Sequence, residues 1–267
     1  MITDKCQRWE QGREFRRPAG ETIRQSEYEV APIAAALATA FVEAHHYAKT
    51  CSPPAHPFGL YRHGELSGIA VFGPLPSMNA HRKVFPTLDT TEGVTLGRLV
   101  LLDGVPGNGE SFFVARCFAH LKKAGIIAVE SCADPEPRVS LDGKRTHRGH
   151  VGCVYQATGG RYIGKTNPAT LRLLPDGTVF SNKASGKVVR AEQGRAYSGA
   201  ELVTWGASPL AAGEDPLAWV RYWRPRLTRA MRHRGNHRYV WTLDERRRGE
   251  VIGYAPAREY PKIGWAA

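Results

Sequence analysis

Apolar positions change period several times along the chain, and each change marks an element. Ile33, Leu37 and Phe41 recur at intervals of four, with alanines between them, and Pro32 sits where a first helical turn would begin. This spacing predicts an amphipathic helix to about Ala48, stopped by Ser52-Pro53-Pro54. Residues 58–62 and 66–72 read as two short strands around His63-Gly64-Glu65. Pro74 and Pro76 open a loop that runs to about Thr91. Residues 94–102 form the strongest apolar run, expected to be a central strand buried on both faces. A tight loop follows, Asp103 to Ser111, then a helix over 112–123 with a basic last turn and Gly125 as its stop. Residues 126–132 are another apolar strand. Strand, loop, helix, strand makes a βαβ unit, so these two strands should be parallel.

Beyond Asp134-Pro135 the chain is polar and basic as far as Arg148. Residues 149–157 predict a short helix, 161–163 a strand, and 170–174 with 178–181 a hairpin around Pro175-Asp176-Gly177. Residues 183–213 carry no clear period. Asp215-Pro216 starts a helix that Pro225 interrupts, and Tyr239-Val240-Trp241 is a short strand. The expected fold class is α/β (α+β): a mixed central sheet flanked by helices, with a basic C-terminal extension. The expected divisions are a polar arm over 1–28, a core over 29–165 and the extension over 166–267.

Charge sharpens this division. Residues 1–150 carry 18 Lys and Arg against 16 Asp and Glu, whereas residues 151–267 carry 19 against 9. Arg221 to Arg248 holds ten arginines, no lysine, and only Asp244 and Glu245 in opposition. Guanidinium forks suit phosphate and base-edge recognition. The candidate nucleic-acid residues are Arg221, Arg224, Arg226, Arg229, Arg232, Arg234 and Arg238. They are interleaved with Tyr222, Trp223, His233, His237, Tyr239 and Trp241, which could stack on bases or bury against the core. The five cysteines are odd in number, widely spaced and free of any CxxC pair, which fits a reducing cytoplasm. No apolar run approaches the roughly 20 residues of a membrane span, and the first residues lack the apolar stretch of a signal peptide.

Catalytic candidates cluster around the βαβ unit. Gly104, Gly107 and Gly109 would let backbone N–H groups approach a phosphate or carbonyl oxygen at a helix start. Ser111 could cap that helix or bind a ligand oxygen. Arg98 interrupts an apolar strand, so it either faces a substrate or forms an ion pair, with Glu130 as the nearest partner. Tyr155 could protonate a leaving group or serve as a core aromatic. Asp134 follows the second strand, near the carboxyl end where open α/β sheets place ligands. His45, His46, Tyr47, Cys51, His56 and His63 fit no standard metal spacing and read as a wall facing substrate.

The order of these pieces resembles the GNAT (N-acetyltransferase-type) fold. Specific stretches resemble, more narrowly, the Mom DNA-modification proteins of bacteriophages. They are His45-His46-Tyr47, Leu96-Gly97-Arg98-Leu99-Val100, Asn108-Gly109-Glu110-Ser111, Glu130 to Pro135, Gly149 to Ala157 with Tyr162-Ile163-Gly164, and His233 to Tyr239. The resemblance implies conversion of the exocyclic N6 amine of adenine in phage DNA to a carbamoylmethyl (acetamido) type of amine, which shields the DNA from restriction. It carries Arg98, Ser111 and Tyr155 over as essential, with Tyr47 or Tyr61 as a further active-site tyrosine. The GNAT pyrophosphate loop begins with Gln or Arg. Here Gly107-Asn108-Gly109 fits the end of that loop, but Gly104 stands at its start, so acetyl-CoA and glycyl-tRNA are rival donors. The implied partner is double-stranded DNA with a flipped adenine, and tRNA is a second one. Duplex DNA buries the N6 amine in its pairing edge, so the base must leave the stack, at a cost of a few kcal/mol. A near-neutral core beside an arginine-rich extension suits that task.

Overall fold

The computed structural model describes residues 5–10, 13–18, 22–46, 48, 50–252 and 257–262. The chain first forms β1 (Lys5–Glu10), β2 (Arg13–Pro18), β3 (Tyr28–Pro32), α1 (Ala35–His45), β4 (His56–Arg62) and β5 (Glu65–Gly73). It continues through α2 (Met78–Val84), β6 (Gly93–Leu101), α3 (Gly109–Lys123), β7 (Ala128–Ala133), β8 (Arg138–Val139), β9 (Arg145–His147) and α4 (Cys153–Ala157). Then come β10 (Arg161–Lys165), β11 (Ala169–Leu173), α5 (Asn182–Val189), α6 (Arg195–Thr204), α7 (Pro216–Leu227), β12 (Arg229–His233), β13 (His237–Thr242) and α8 (Arg248–Ile252).

The fold is mixed α/β, and the chain divides into two units. The first comprises residues 1–135, 149–166 and 236–267; the second comprises 136–148 and 167–235. This differs from a single boundary at 165/166. The reason is that β10 pairs antiparallel with β13, Tyr162 opposite Tyr239. The chain leaves the sheet after β10 and returns to it at residue 237, so 167–235 is an insertion.

In the first unit, seven strands form one sheet in the order β10-β13-β7-β6-β5-β4-β3. Only β6 and β7 run parallel, as the βαβ pattern requires. The β4–β5 hairpin turns through His63 and Gly64 at φ 49° and 85°, two positive values that a two-residue turn needs. Ala38 and Val42 of α1 bury against Ile69, Val71 and Val100 on one face of the sheet. Phe113, Val114, Cys117 and Leu121 of α3 bury against Phe72, Leu96 and Leu101 on the other.

Three local readings change. Pro32 ends β3, opposite Phe58, rather than opening α1; β3 is an edge strand, where a missing N–H is tolerated. The expected loop at 74–91 contains α2, whose N-cap Ser77 accepts from the Ala80 N–H at 3.1 Å. The expected arm contains the antiparallel β1–β2 hairpin.

The second unit has its own core, with Phe180, Val188, Leu202 and Trp219 buried among α5, α6 and α7. β11 pairs antiparallel with β12, and β8 with β9. The Pro175-Asp176-Gly177 turn forms, with Gly177 at φ 83°, but its second arm reduces to a bridge between Leu173 and Val179. The other partner of β11 is β12, a strand hidden inside the arginine-rich segment. Asp215 caps α7 by accepting from the Leu217 and Ala218 N–H groups, as the Asp-Pro signal predicts. Pro225 lies inside α7 instead of breaking it. The second unit carries 15 Lys and Arg against 7 Asp and Glu, and the remainder of the chain 22 against 18. Among the described residues, no helix is long and apolar enough to cross a membrane.

Candidate active site

The β6–β7 pairing is short. Gly93, Val94 and Thr95 register with Ala128, Val129 and Glu130, and there the parallel ladder stops. Both strands continue, β6 to Leu101 and β7 to Ala133, the latter still paired with β13. Beyond Thr95 and Glu130, the Ser131 hydroxyl donates to the Leu96 carbonyl at 2.9 Å. Two parallel strands therefore part at their carboxyl ends, the position where open sheets hold ligands.

A bulge sets what faces this opening. Phe72 registers with Leu96 and Val71 with Arg98, so Gly97 is the extra residue. Simple alternation from Val94 and Leu96 would aim Arg98 at the α3 core. The bulge places Leu99 there instead and moves Arg98 to the face of α1, with Val71 and Val100. The guanidinium then donates from Nε to the Thr50 carbonyl at 2.7 Å, from Nη2 to Thr50 Oγ1 at 3.3 Å and from Nη1 to the Gly97 carbonyl at 2.7 Å. The ion pair with Glu130 does not form. Glu130 is buried and accepts from Arg238 Nε at 3.2 Å, and Cys132 Sγ donates to it at 3.5 Å. Burial pushes the Cys132 thiol well above its usual range, and the Glu130 charge adds to this. Glu130 shares the sheet face of Arg98 and stands at the last registered pair. In the sequence Glu130 stands as an ion-pair candidate and at the head of the Glu130–Pro135 stretch; its position at the end of the parallel register has no signal there.

The Gly-rich loop is built differently from a phosphate cradle. Gly104, Gly107 and Gly109 are not among the glycines with positive φ. At Gly109, a Cβ would stand 2.3 Å from Val105 Cγ1 and 3.1 Å from Leu101 Cδ2, so that glycine serves the close packing of the helix start. The Asn108 side chain accepts from the Ile23 N–H at 2.7 Å and does not cap α3. Ser111 is not the N-cap either: α3 starts at Gly109, and the Ser111 hydroxyl donates to the Asn108 carbonyl at 2.9 Å. Residues 102–111 hold Asp103 and Glu110 and no Lys or Arg. An anion at this loop would therefore meet backbone N–H groups and the start of α3, with no cationic side chain from residues 102–111.

Tyr155 is half-buried on α4, on the α3 side of the sheet, where it packs against the main core. Its ring lies 5.6 Å from Trp241 at 88° and 5.5 Å from Tyr239. Tyr239 is fully buried, and its hydroxyl donates to the Val151 carbonyl and accepts from Gln156 Nε2 at 3.0 Å. Asp134 follows β7, and its carbonyl accepts from the His150 N–H at 2.7 Å. Arg98 and Tyr155 thus sit on opposite faces of the sheet. Tyr61 is at the hairpin end of β4, with Gly59 and Ile33, on the α1 face. Tyr47 lies outside the described residues. Among the described residues, no three His, Cys, Asp or Glu side chains could hold a metal.

The arginine segment divides between the two units. Arg238 is half-buried against Glu130 in the first unit. The other six lie in the second. Arg221, Arg226, Arg232 and Arg234 are exposed, Arg226 stacking 3.6 Å over the Tyr222 ring and Arg234 pairing with Glu136 at 2.7 Å. Arg229 donates to the Val139 carbonyl, and Arg224 donates to Asn182 Oδ1 at 2.5 Å.

The parallel strands thus part beside a fixed guanidinium and a buried carboxylate on one face of the sheet. The chain belongs to the Mom protein family, whose match runs over residues 27–262. No curated relative matches the chain. Among solved structures, the GNAT family N-acetyltransferase YhbS from Escherichia coli, in complex with CoA, is 12% identical, with 50% of this chain and 68% of that one covered at a TM-score of 0.33. YncA from Salmonella typhimurium, with acetyl-CoA, is 8% identical, with 82% and 95% covered at a TM-score of 0.39. An N-acetyltransferase from Staphylococcus aureus is 9% identical, with 81% and 99% covered at a TM-score of 0.37.

Proposed function

We propose that this protein is a transferase acting on the exocyclic N6 amine of adenine in DNA, leaving a carbamoylmethyl (acetamido) or isomeric glycyl adduct that protects the DNA from restriction. The observation that carries the reading is the family match over residues 27–262. The concentration of positive charge in the second unit, 15 basic against 7 acidic residues, supports a polyanionic substrate.

The amine of adenine is a weak nucleophile, so the enzyme must polarise the donor carbonyl and accept a proton. Arg98 uses three of its five N–H donors on Thr50 and Gly97, which fixes its plane and leaves donors for a developing oxyanion. In this reading Glu130, on the face of Arg98 at the end of the parallel register, accepts the proton of the amine. Tyr155 supplies a hydroxyl to the leaving group from the opposite face. Of the two rival donors, glycyl-tRNA carries both carbons and the nitrogen of the adduct. The amine attacks its ester carbonyl, the tRNA hydroxyl leaves with the proton, and the glycyl isomer forms. Acetyl-CoA would leave an N-acetyl amine that lacks the nitrogen. The acidic loop at 102–111 favours a donor whose phosphates dock elsewhere.

Nucleoside mass spectrometry with fragmentation, on digested DNA from cells expressing the protein, tests the reading. A new adenine species that vanishes in Arg98→Ala is the expected result, and its fragments separate the two isomers. Unmodified DNA from well-expressed, folded protein overturns it.

A further inference from the structure

Inside the second unit, a cavity of about 440 Å³ opens between α5 and α7 beside β11. Its walls carry Arg172, Arg190, Arg221 and Arg224, and no acidic residue lines it. Val189, Leu217 and Val220 add apolar surface to the lining. Arg190 is offset by Glu192 at 2.6 Å. Arg224 is not: one nitrogen donates to the neutral Asn182 side chain, while its buried Nε has no hydrogen-bond partner. Burial, and then the like charge of Arg172, hold the Arg224 guanidinium below its usual range. Arg172 and Arg224, gathered with no carboxylate in the lining, repel one another, and an anion between them relieves that repulsion. Arg172 and Arg190 lie outside the arginine-rich segment, so the sequence does not announce this grouping.

We infer that the α5–α7 cavity binds a phosphodiester of a nucleic-acid strand, its arginines gripping the phosphate and its apolar lining receiving the adjoining sugar or base. The cavity volume falls within the range of small-molecule sites, and a nucleotide has the same division between charged and apolar parts as the lining. The choice of DNA as the strand rests on the function proposed above; the anion site itself does not.

The test is fluorescence anisotropy of the full chain with a labelled DNA duplex across 50 to 300 mM salt. Arg172→Gln combined with Arg224→Gln should raise Kd about tenfold and reduce the slope of log K against log salt by about one, the signature of one lost phosphate contact. Lys144→Gln combined with Arg145→Gln removes the same charge from the β8–β9 hairpin and should leave the slope unchanged. Arg221→Gln alters an exposed side chain, so it tests the cavity without threatening the fold; it should weaken binding several-fold. An unchanged slope in the cavity variants, or an equal loss in the hairpin control, overturns the site. Adenine adducts are read in parallel. Modified DNA with an unchanged slope removes the cavity and keeps the transferase; a cavity-dependent slope without adducts does the reverse.

Discussion

Arg98 donates through Nε to the carbonyl oxygen of Thr50 at 2.7 Å, joining the strand that parts from β7 to the segment after α1. A lysine would keep the charge but lose the fork that engages both Thr50 oxygens. Arg98→Lys should therefore fold, lose about 1–2 kcal/mol of stability, and lower adenine adducts at least tenfold. Thermal melts and nucleoside mass spectrometry measure the two effects separately. Full modification by the lysine variant would show that charge alone suffices at this position.

Gly97, the extra residue of the bulge, is required by contact. A Cβ there would stand 2.2 Å from Ser52 Oγ and 3.1 Å from Ser52 Cβ. Gly97→Ala should cost about 1–3 kcal/mol, as overpacked sites do. Ser52→Gly in the same chain should recover most of it, because the clash is with that one side chain. Denaturant midpoints of the two single variants and the double give the coupling. Additive losses would mean that backbone conformation, not the serine, excludes alanine.

The βαβ unit was legible because period, turn chemistry and the helix stop agreed over residues 94–132. Arg98 also stood out, as a charge in an apolar run. Its direction did not, since the bulge at Gly97 reverses which face it meets, and a single glycine in a strand does not say where a bulge falls. Its partner was equally hidden: Thr50 is a backbone carbonyl 48 residues away. The boundary of the basic extension failed for a topological reason. Residues 236–242 read as basic and aromatic like the segment before them, yet β13 fills the place between β7 and β10. α2 was readable from Ser77 but was masked by the two prolines before it.

Tyr155 is packed edge-on against Trp241 and close to Tyr239, so its ring and its hydroxyl are separable. Tyr155→Phe keeps the ring contacts and should melt within about 1 kcal/mol of the parent chain, in the range of one hydrogen bond, while adenine adducts fall strongly. Tyr155→Ala removes the ring as well and should cost about 3 kcal/mol, near the lower end for a core aromatic. A phenylalanine variant that modifies DNA at the parent rate would remove the hydroxyl from the chemistry and leave Tyr155 as packing alone.

His237 gives the fold a pH dependence of predictable sign. Its ring is buried, with Nδ1 2.9 Å from the Tyr162 hydroxyl. Burial, and then the charge of Lys165, hold the imidazole below its usual pKa of 6.5. Unfolded, it takes up a proton near pH 6.5; folded, only at lower pH. Between those values unfolding binds a proton, so stability is full above about pH 6.5 and falls as the pH drops toward the folded value. His56, also lowered by burial, acts in the same direction. The paired carboxylates Glu92 and Glu136 are held below their usual range by Arg247 and Arg234, so their titration lies further toward acid. Urea midpoints should therefore decline from pH 7 to pH 5 in the parent chain, and decline less in His237→Gln. Equal slopes for the two chains would show that His237 titrates alike in the folded and unfolded states.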